Sequence, residues 1–264
     1  MAGVQEGAEI RDAVRRRYAG FARTMGREGC CAGDGSCCGG AADGAVPLVV
    51  YSPEDLQAAF LAGGASLGCG NPVATADLRP GEVVLDLGSG AGLDVLLAAR
   101  RVGPQGTAYG LDMTDEMLAL ALANRQRAGV FNAHFLRGQI EAIPLPDQAV
   151  DVVISNCVIN LSADKLAALR EAYRVLRPGG RFRVADMVEV EPLPDALRSS
   201  LESWAGCIAG ALEIDRYREL LEEAGFRDIT FEELHTYRGK DVGAAGLPGA
   251  VASMLVSANR PLDA

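Results

Sequence analysis

The apolar and polar positions divide the chain into a helical start, an irregular stretch and a long alternation of strands and helices. Ile10, Val14, Tyr18 and Phe21 fall about one helical turn apart, which predicts a helix over residues 6–22. From Met25 to Val46 the sequence is rich in Gly, Ala and Cys, the composition of a loop. Pro53, with Ser52 as N-cap, opens a second short helix that ends in the Gly-rich GGASLGCGNP of residues 63–72. After the turn signal Arg79-Pro80-Gly81 the pattern changes. VVLDL (83–87), TAYGLDM (107–113), AHFLRG (133–138), the near-continuous apolar run DVVISN (151–156) and RFRVADMV read as strands. Between them LDVLLAARRV, residues 114–128 and KLAALREAYRVL (165–176) carry helical periodicity, and the last is stopped by Arg-Pro-Gly-Gly. Residues 194–224 read as helical, with FRDITFEELHTY and SMLVSANR as a closing hairpin. Strands alternating with helices from 82 to 190 predict an α/β fold with a doubly wound, largely parallel sheet.

Composition narrows the function. The 264 residues are 49% hydrophobic and 23% charged, enough to bury a core without disulfide or metal staples. Lys and Arg number 25 against 35 Asp and Glu, a net charge of −10, which argues against nucleic acid or an anionic membrane as partner. No run of about 18 uncharged apolar residues is present, so no transmembrane helix is expected. The first twenty residues carry acids and no apolar core of a signal peptide, which points to the cytoplasm. Seven cysteines are then unexpected in a reducing compartment. Cys30, Cys31, Cys37 and Cys38 are clustered in the irregular stretch, while Cys69, Cys157 and Cys207 are scattered.

Gly88-x-Gly90-x-Gly92 follows a strand and opens a helix, where glycines let backbone N–H groups approach a ligand. Leu93 stands where a dinucleotide fingerprint needs a small residue, and no phosphate-loop Lys follows, so a nicotinamide cofactor is the weaker reading. Asp86, inside the strand end, suits a ligand with a cationic or hydroxyl-bearing part. Asp112 ends the next strand, twenty residues after Gly92, where a carboxylate accepts ribose hydroxyls. The plain alternative is a tight turn with Asp112 capping a helix. The combination fits S-adenosylmethionine, whose sulfonium and amino groups are positive.

VLDLGSGAG, YGLDMTDEML, PLPDQAVDVVISN and LRPGGRF resemble, in order, the motifs of the class I S-adenosylmethionine-dependent methyltransferases. The resemblance implies a Rossmann-like, mostly parallel seven-stranded sheet with helices on both faces, preceded by an N-terminal Cys-rich extension. It implies three parts: residues 1–72 with the N-terminal helix and Cys-rich segment, 73–190 as the cofactor-binding core, and 191–264 with C-terminal helices and closing strands. It also implies that Asp86, Gly88, Ser89, Gly90 and Gly92 line the methionine side and that Asp112 holds the ribose. Met113, Ile140 and Glu141 would flank the adenine, Asn156 would sit under the cofactor, and Tyr18 is a weaker candidate. The Gln139 position is often acidic in similar proteins.

ASLGCGNP, SNCVINLSADK and WAGCIAGALE are more specific, and resemble segments of the arsenite S-adenosylmethionine methyltransferases. Trivalent arsenic is soft and prefers thiolates, and three of them leave it a lone pair that can attack a sulfonium methyl. No general base is needed, in keeping with a sequence holding two histidines. The resemblance implies Cys69, Cys157 and Cys207 as ligands of the arsenic substrate. It further implies that Cys69 forms a disulfide with an N-terminal cysteine, Cys38 or one of Cys30, Cys31 and Cys37, reset by thioredoxin or a small thiol. Arsenite and methylated trivalent arsenicals are the implied substrates, and no structural metal is expected. Competing readings are buried apolar cysteines at 157 and 207, a zinc site or an arsenite-scavenging set in CC-x5-CC, a methyltransferase of an organic small molecule, and a non-catalytic thiol-based arsenite sensor. Trp204 could wall the arsenic site, whereas a structural role suits His134 and a solvated face suits RDAVRRRY.

Overall fold

The computed structural model describes residues 2–25, 51, 68–194, 208–238 and 249–263. The apolar runs form strands: β1 (Val83–Leu87), β2 (Thr107–Asp112), β3 (Ala133–Arg137), β4 (Val150–Asn156) and β5 (Leu176–Glu191). They are followed by β6 (Leu212–Glu213), β7 (Arg227–Arg238) and β8 (Ala250–Asn259). The sheet order is β3-β2-β1-β4-β5-β8-β7, with β6 paired to β5 off this path. Strands β1 to β5 run parallel, and β8 is antiparallel to both β5 and β7, so the closing hairpin forms as expected.

Seven strands therefore lie in the main path, as expected, but the sheet has eight. The additional β6 is two residues long and is held by Val188 and Glu189 of β5, too short to leave a periodic trace. The sequence pattern of 194–224 predicts helix throughout; among the described residues only Ile214–Ala224 is helical, after a turn at 208–211 and β6.

The helices are α1 (Ala2–Met25), α2 (Pro72–Thr75), α3 (Leu93–Val102), α4 (Asp115–Ala128), α5 (Lys165–Val175) and α6 (Ile214–Ala224). The expected start near Pro53 lies outside the described residues. Local chemistry sets the ends. Asn71 and Asp164 accept hydrogen bonds from Ala74 N and Ala167 N, capping α2 and α5. Asp115 and Glu116 occupy the positive first turn of α4, and left-handed Gly129 closes it.

Leu96, Ala98 and Val102 of α3 bury one sheet face with Val84, Val152 and Ile154, while α5 and α6 cover the other with Leu169, Tyr217 and Leu221 against Phe182, Val184 and Val188. A third cluster sits over the carboxyl ends of β4 and β5. Ile10 and Val14 of α1 pack there with Cys69, Cys157, Ala185 and Met187. The predicted apolar stripe of α1 thus closes the sheet end where α/β proteins bind ligands. Arg23 of α1 also pairs with Glu116 of α4 at 2.7 Å. Among the described residues no helix is long and apolar enough to cross a membrane.

Candidate active site

The glycine loop is built as its residue types require. Gly88, Gly90 and Gly92 have φ of 68°, 50° and 87°, the left-handed region that disfavours side chains. A Cβ on Gly88 would lie 2.5 Å from Val158, so the loop touches the turn after β4. A Cβ on Gly90 would meet nothing within 4 Å among the described residues, leaving open space there beside the backbone. Asp112 Oδ2 accepts from Gly90 N at 2.9 Å and Oδ1 from Thr114 N at 2.8 Å, tying the loop to the end of β2.

The electrostatics favour a cation. Asp86 is buried, and its pKa is pushed well above the usual carboxylate range by desolvation and by the nearby charges of Asp94 and Asp112. Asp112 is also raised by burial, against the pull of the Thr114 and Gly90 amides. Among the described residues no side-chain hydrogen bond or ion pair reaches the Asp86 carboxylate. Among the described residues Ser89 Oγ is buried without a hydrogen-bond partner. An under-compensated carboxylate, an orphaned hydroxyl and an open glycine cradle together fit a ligand carrying positive charge and hydroxyl groups, as S-adenosylmethionine does.

The expected adenine-side residues Met113, Ile140 and Glu141 have different surroundings. Met113 lines a cleft of about 450 Å³ with Ala8, Arg11, Asp12, Arg15, Arg137, Gly138 and Gln139. Ile140 is buried in the core cluster under α5 and α6. Glu141 accepts from Ser162 Oγ at 2.5 Å.

Cys69 and Cys157 are joined by a disulfide, with Cα atoms 6.0 Å apart. The tertiary structure thus brings together two of the three expected arsenic ligands. The N-terminal cysteines that the resemblance offers as redox partners of Cys69 lie outside the described residues. The 68–70 segment is held in place: Asn156 binds its backbone, and Ser253 Oγ donates to Cys69 O at 2.5 Å. Cys157 N donates to Ala185 O at 2.8 Å, and Cys157 has a φ of 62°, an uncommon conformation for a residue with a side chain. Such strain, of order 1–3 kcal/mol, clusters at functional sites. Cys207, Trp204, Cys30, Cys31, Cys37 and Cys38 lie outside the described residues. His134 lies on β3, its ring 5.7 Å from that of Tyr109.

Three site residues escape sequence reasoning. Tyr51 Oη donates to the Asp94 carboxylate (2.7 and 2.8 Å) and accepts from Asn156 Nδ2 at 2.9 Å. Burial and the adjacent Asp94 charge raise the Tyr51 pKa well above its usual value. Asp94, in the first turn of the helix after the glycine loop, had a positional signal; Tyr51 and Ser253 had none.

The methyltransferase domain family matches residues 78–225. The chain is 43% identical over 229 residues to an arsenite methyltransferase of Halobacterium salinarum, covering 84% of this chain and 58% of that protein. It is 36% identical over 152 residues to the human arsenite methyltransferase, covering 54% of this chain and 40% of that one. The chain thus spans about half the length of these relatives. The crystal structure of an arsenic(III) S-adenosylmethionine methyltransferase from Chlamydomonas reinhardtii superimposes with a TM-score of 0.65 at 34% identity, covering 80% of this chain and 75% of that one. Fold, cofactor cradle and sequence likeness agree, and the chain belongs to the methyltransferase domain family and, within it, to the arsenic(III) S-adenosylmethionine methyltransferases.

Proposed function

We propose that this protein transfers methyl groups from S-adenosylmethionine to thiol-bound trivalent arsenic, converting arsenite to methylated arsenicals and thereby detoxifying it. The observation that carries the reading is the juxtaposition of Cys69 and Cys157 in an apolar cluster at the end of β4, where the next residue, Val158, lies against Gly88 of the glycine loop. The cofactor, when bound, supplies a methyl group on a positively charged sulfur. Asp86 offers the negative charge that balances it, Asp112, fixed by the Gly90 N–H, orients the sugar side, and α1 shields the site from water. Reduced Cys69 and Cys157, joined by Cys207, hold arsenic as a trigonal pyramid with its lone pair free. The acceptor is already nucleophilic, so the residues position it and no base is required.

Methylation formally oxidises As(III) to As(V), and two thiols return the electron pair by forming a disulfide with release of two protons. Cys69 is the thiol common to either couple in this reading, with Cys157 or an N-terminal cysteine such as Cys38 as its partner. Thioredoxin or a small thiol in the cytoplasm then restores both thiols. Residues 1–72, 73–190 and 191–264 act as cysteine-bearing extension, cofactor core and substrate-closing segment.

The test is the purified protein with S-adenosylmethionine, a thiol reductant and arsenite, with products separated by liquid chromatography and detected as arsenic by mass spectrometry. Mono- and dimethylated arsenic are expected. Arsenite binding without turnover would replace the reading by a sensor, and neither binding nor turnover would point to an organic acceptor. Cys157→Ser loses methylation while retaining cofactor binding. Cys69→Ser impairs methylation of arsenite more than that of an already methylated trivalent arsenical.

A further inference from the structure

The carboxamide of Asn156 interlocks with the segment that carries Cys69. Its Oδ1 accepts from Cys69 N at 2.8 Å and Gly70 N at 3.1 Å, and its Nδ2 donates to Gly70 O at 2.7 Å and Tyr51 Oη at 2.9 Å. Two amide donors face the oxygen and a carbonyl faces the nitrogen, so only one orientation of the amide satisfies all four. A Cβ on Gly68 would lie 2.1 Å from this carboxamide, so the segment approaches as closely as glycine permits. Tyr51 in turn binds Asp94 in the first turn of α3, directly after the glycine loop.

Asn156 and Cys157 are consecutive, yet both side chains reach the 69–70 segment. A regular strand would send them to opposite faces. The left-handed backbone of Cys157 breaks that alternation and turns the thiol to the side of the carboxamide.

We propose that Asn156 is the positioning residue of Cys69: held by Tyr51 and Asp94, it clamps the Cys69–Gly70 backbone and keeps the thiol within bonding reach of Cys157. The assignment deepens the arsenic reading and rests on it for its functional meaning. It gives Asn156 a task other than lying under the cofactor, and it links placement of the thiol to the helix that follows the cofactor loop.

The experiment uses the full chain and its Asn156→Ala, Asn156→Asp and Tyr51→Phe variants in buffers of reduced and oxidised glutathione. The Cys69–Cys157 pair gives up two electrons and two protons as one oxidised glutathione becomes two reduced molecules. Alkylation followed by peptide mass spectrometry reads the equilibrium. Asn156→Ala lowers the effective concentration of the pair about tenfold, the worth of about one hydrogen bond. Asn156→Asp loses more, because it sets a carboxylate against Gly70 O and Asp94. Tyr51→Phe loses about two- to fivefold, having kept the direct contacts to residues 69 and 70. The S-adenosylmethionine dissociation constant, measured by calorimetry, changes less than the disulfide equilibrium.

An equilibrium within about twofold of the parent in Asn156→Ala, or a larger loss in cofactor affinity than in the disulfide equilibrium, overturns the proposal. Should Asn156→Ala fail to fold by circular dichroism, Tyr51→Phe decides, and an unchanged equilibrium there overturns it. No arsenic enters this measurement. A protein that makes no methylated arsenic but shows the shifted equilibrium loses the arsenic reading and keeps the clamp.

Discussion

Replacing Asp186 with asparagine should change how stability depends on pH. Asp186 is fully buried on β5, where it accepts hydrogen bonds from Asn160 Nδ2 at 2.8 Å, its neighbour Met187 N at 3.0 Å and Tyr217 Oη at 3.3 Å. Burial raises its pKa to about 7 despite those donors and the charge of Lys165. In the unfolded chain the same carboxyl titrates near 3.9. Below about pH 4 it is protonated in both states and carries no penalty. As pH rises from there through 7, the unfolded chain releases its proton first, so stability falls.

The shift of roughly three units, at 1.36 kcal/mol each, sets a ceiling of about 4 kcal/mol. Lys165 is depressed to about 8 by burial, with the Asp186 charge acting the other way, so its titration lies mostly above this window and enters only at its upper end. Asparagine retains an acceptor for Asn160 and Met187, and its amide donates to the Tyr217 oxygen. Urea unfolding with the cysteines reduced, at about pH 4.5, 6 and 7.5, should show the variant gaining about 2–4 kcal/mol on the parent across the series. A difference that stays constant with pH would refute the reasoning.

Gly88→Ala forces a side chain at φ 68° and 2.5 Å from Val158, at a cost of about 2–4 kcal/mol, read as a thermal midpoint about 5–10 °C lower. Arg181→Met leaves Glu82, its partner at 2.8 Å in a mostly buried pair, without its cation, and should cost about 2–4 kcal/mol by denaturant titration. Adding Glu82→Gln should recover at least about 1 kcal/mol of that loss. Asp112→Ala removes the acceptor for Gly90 N and Thr114 N, and calorimetry should find S-adenosylmethionine bound about 10–100-fold more weakly.

Strand and helix positions from residue 79 to 190 were legible because local periodicity carries them. VVLDL and DVVISN are apolar on both faces because both faces are covered. The glycine loop, Asp86 and Asp112 were legible because a strand-loop-helix unit places them within a few residues of their structural context. The two-residue β6 was not, since its pairing with Val188 and Glu189 leaves no periodic mark.

The sequence by itself determined the α/β alternation, the cofactor cradle and which cysteine-bearing strings identify the family. Only the tertiary structure decided that Cys69 meets Cys157, 88 residues away, and that Tyr51 reaches Asp94 and Asn156 across 43 and 105 residues. It also decided that Asp186 lies beneath Asn160 and Tyr217 with its proton retained near neutrality. Periodicity and capping are set by neighbours a turn away, whereas these contacts depend on which sheet edges and loops the chain's topology brings together. Their hydrogen-bonding groups are ordinary in sequence and acquire their chemistry from burial, which no local window contains.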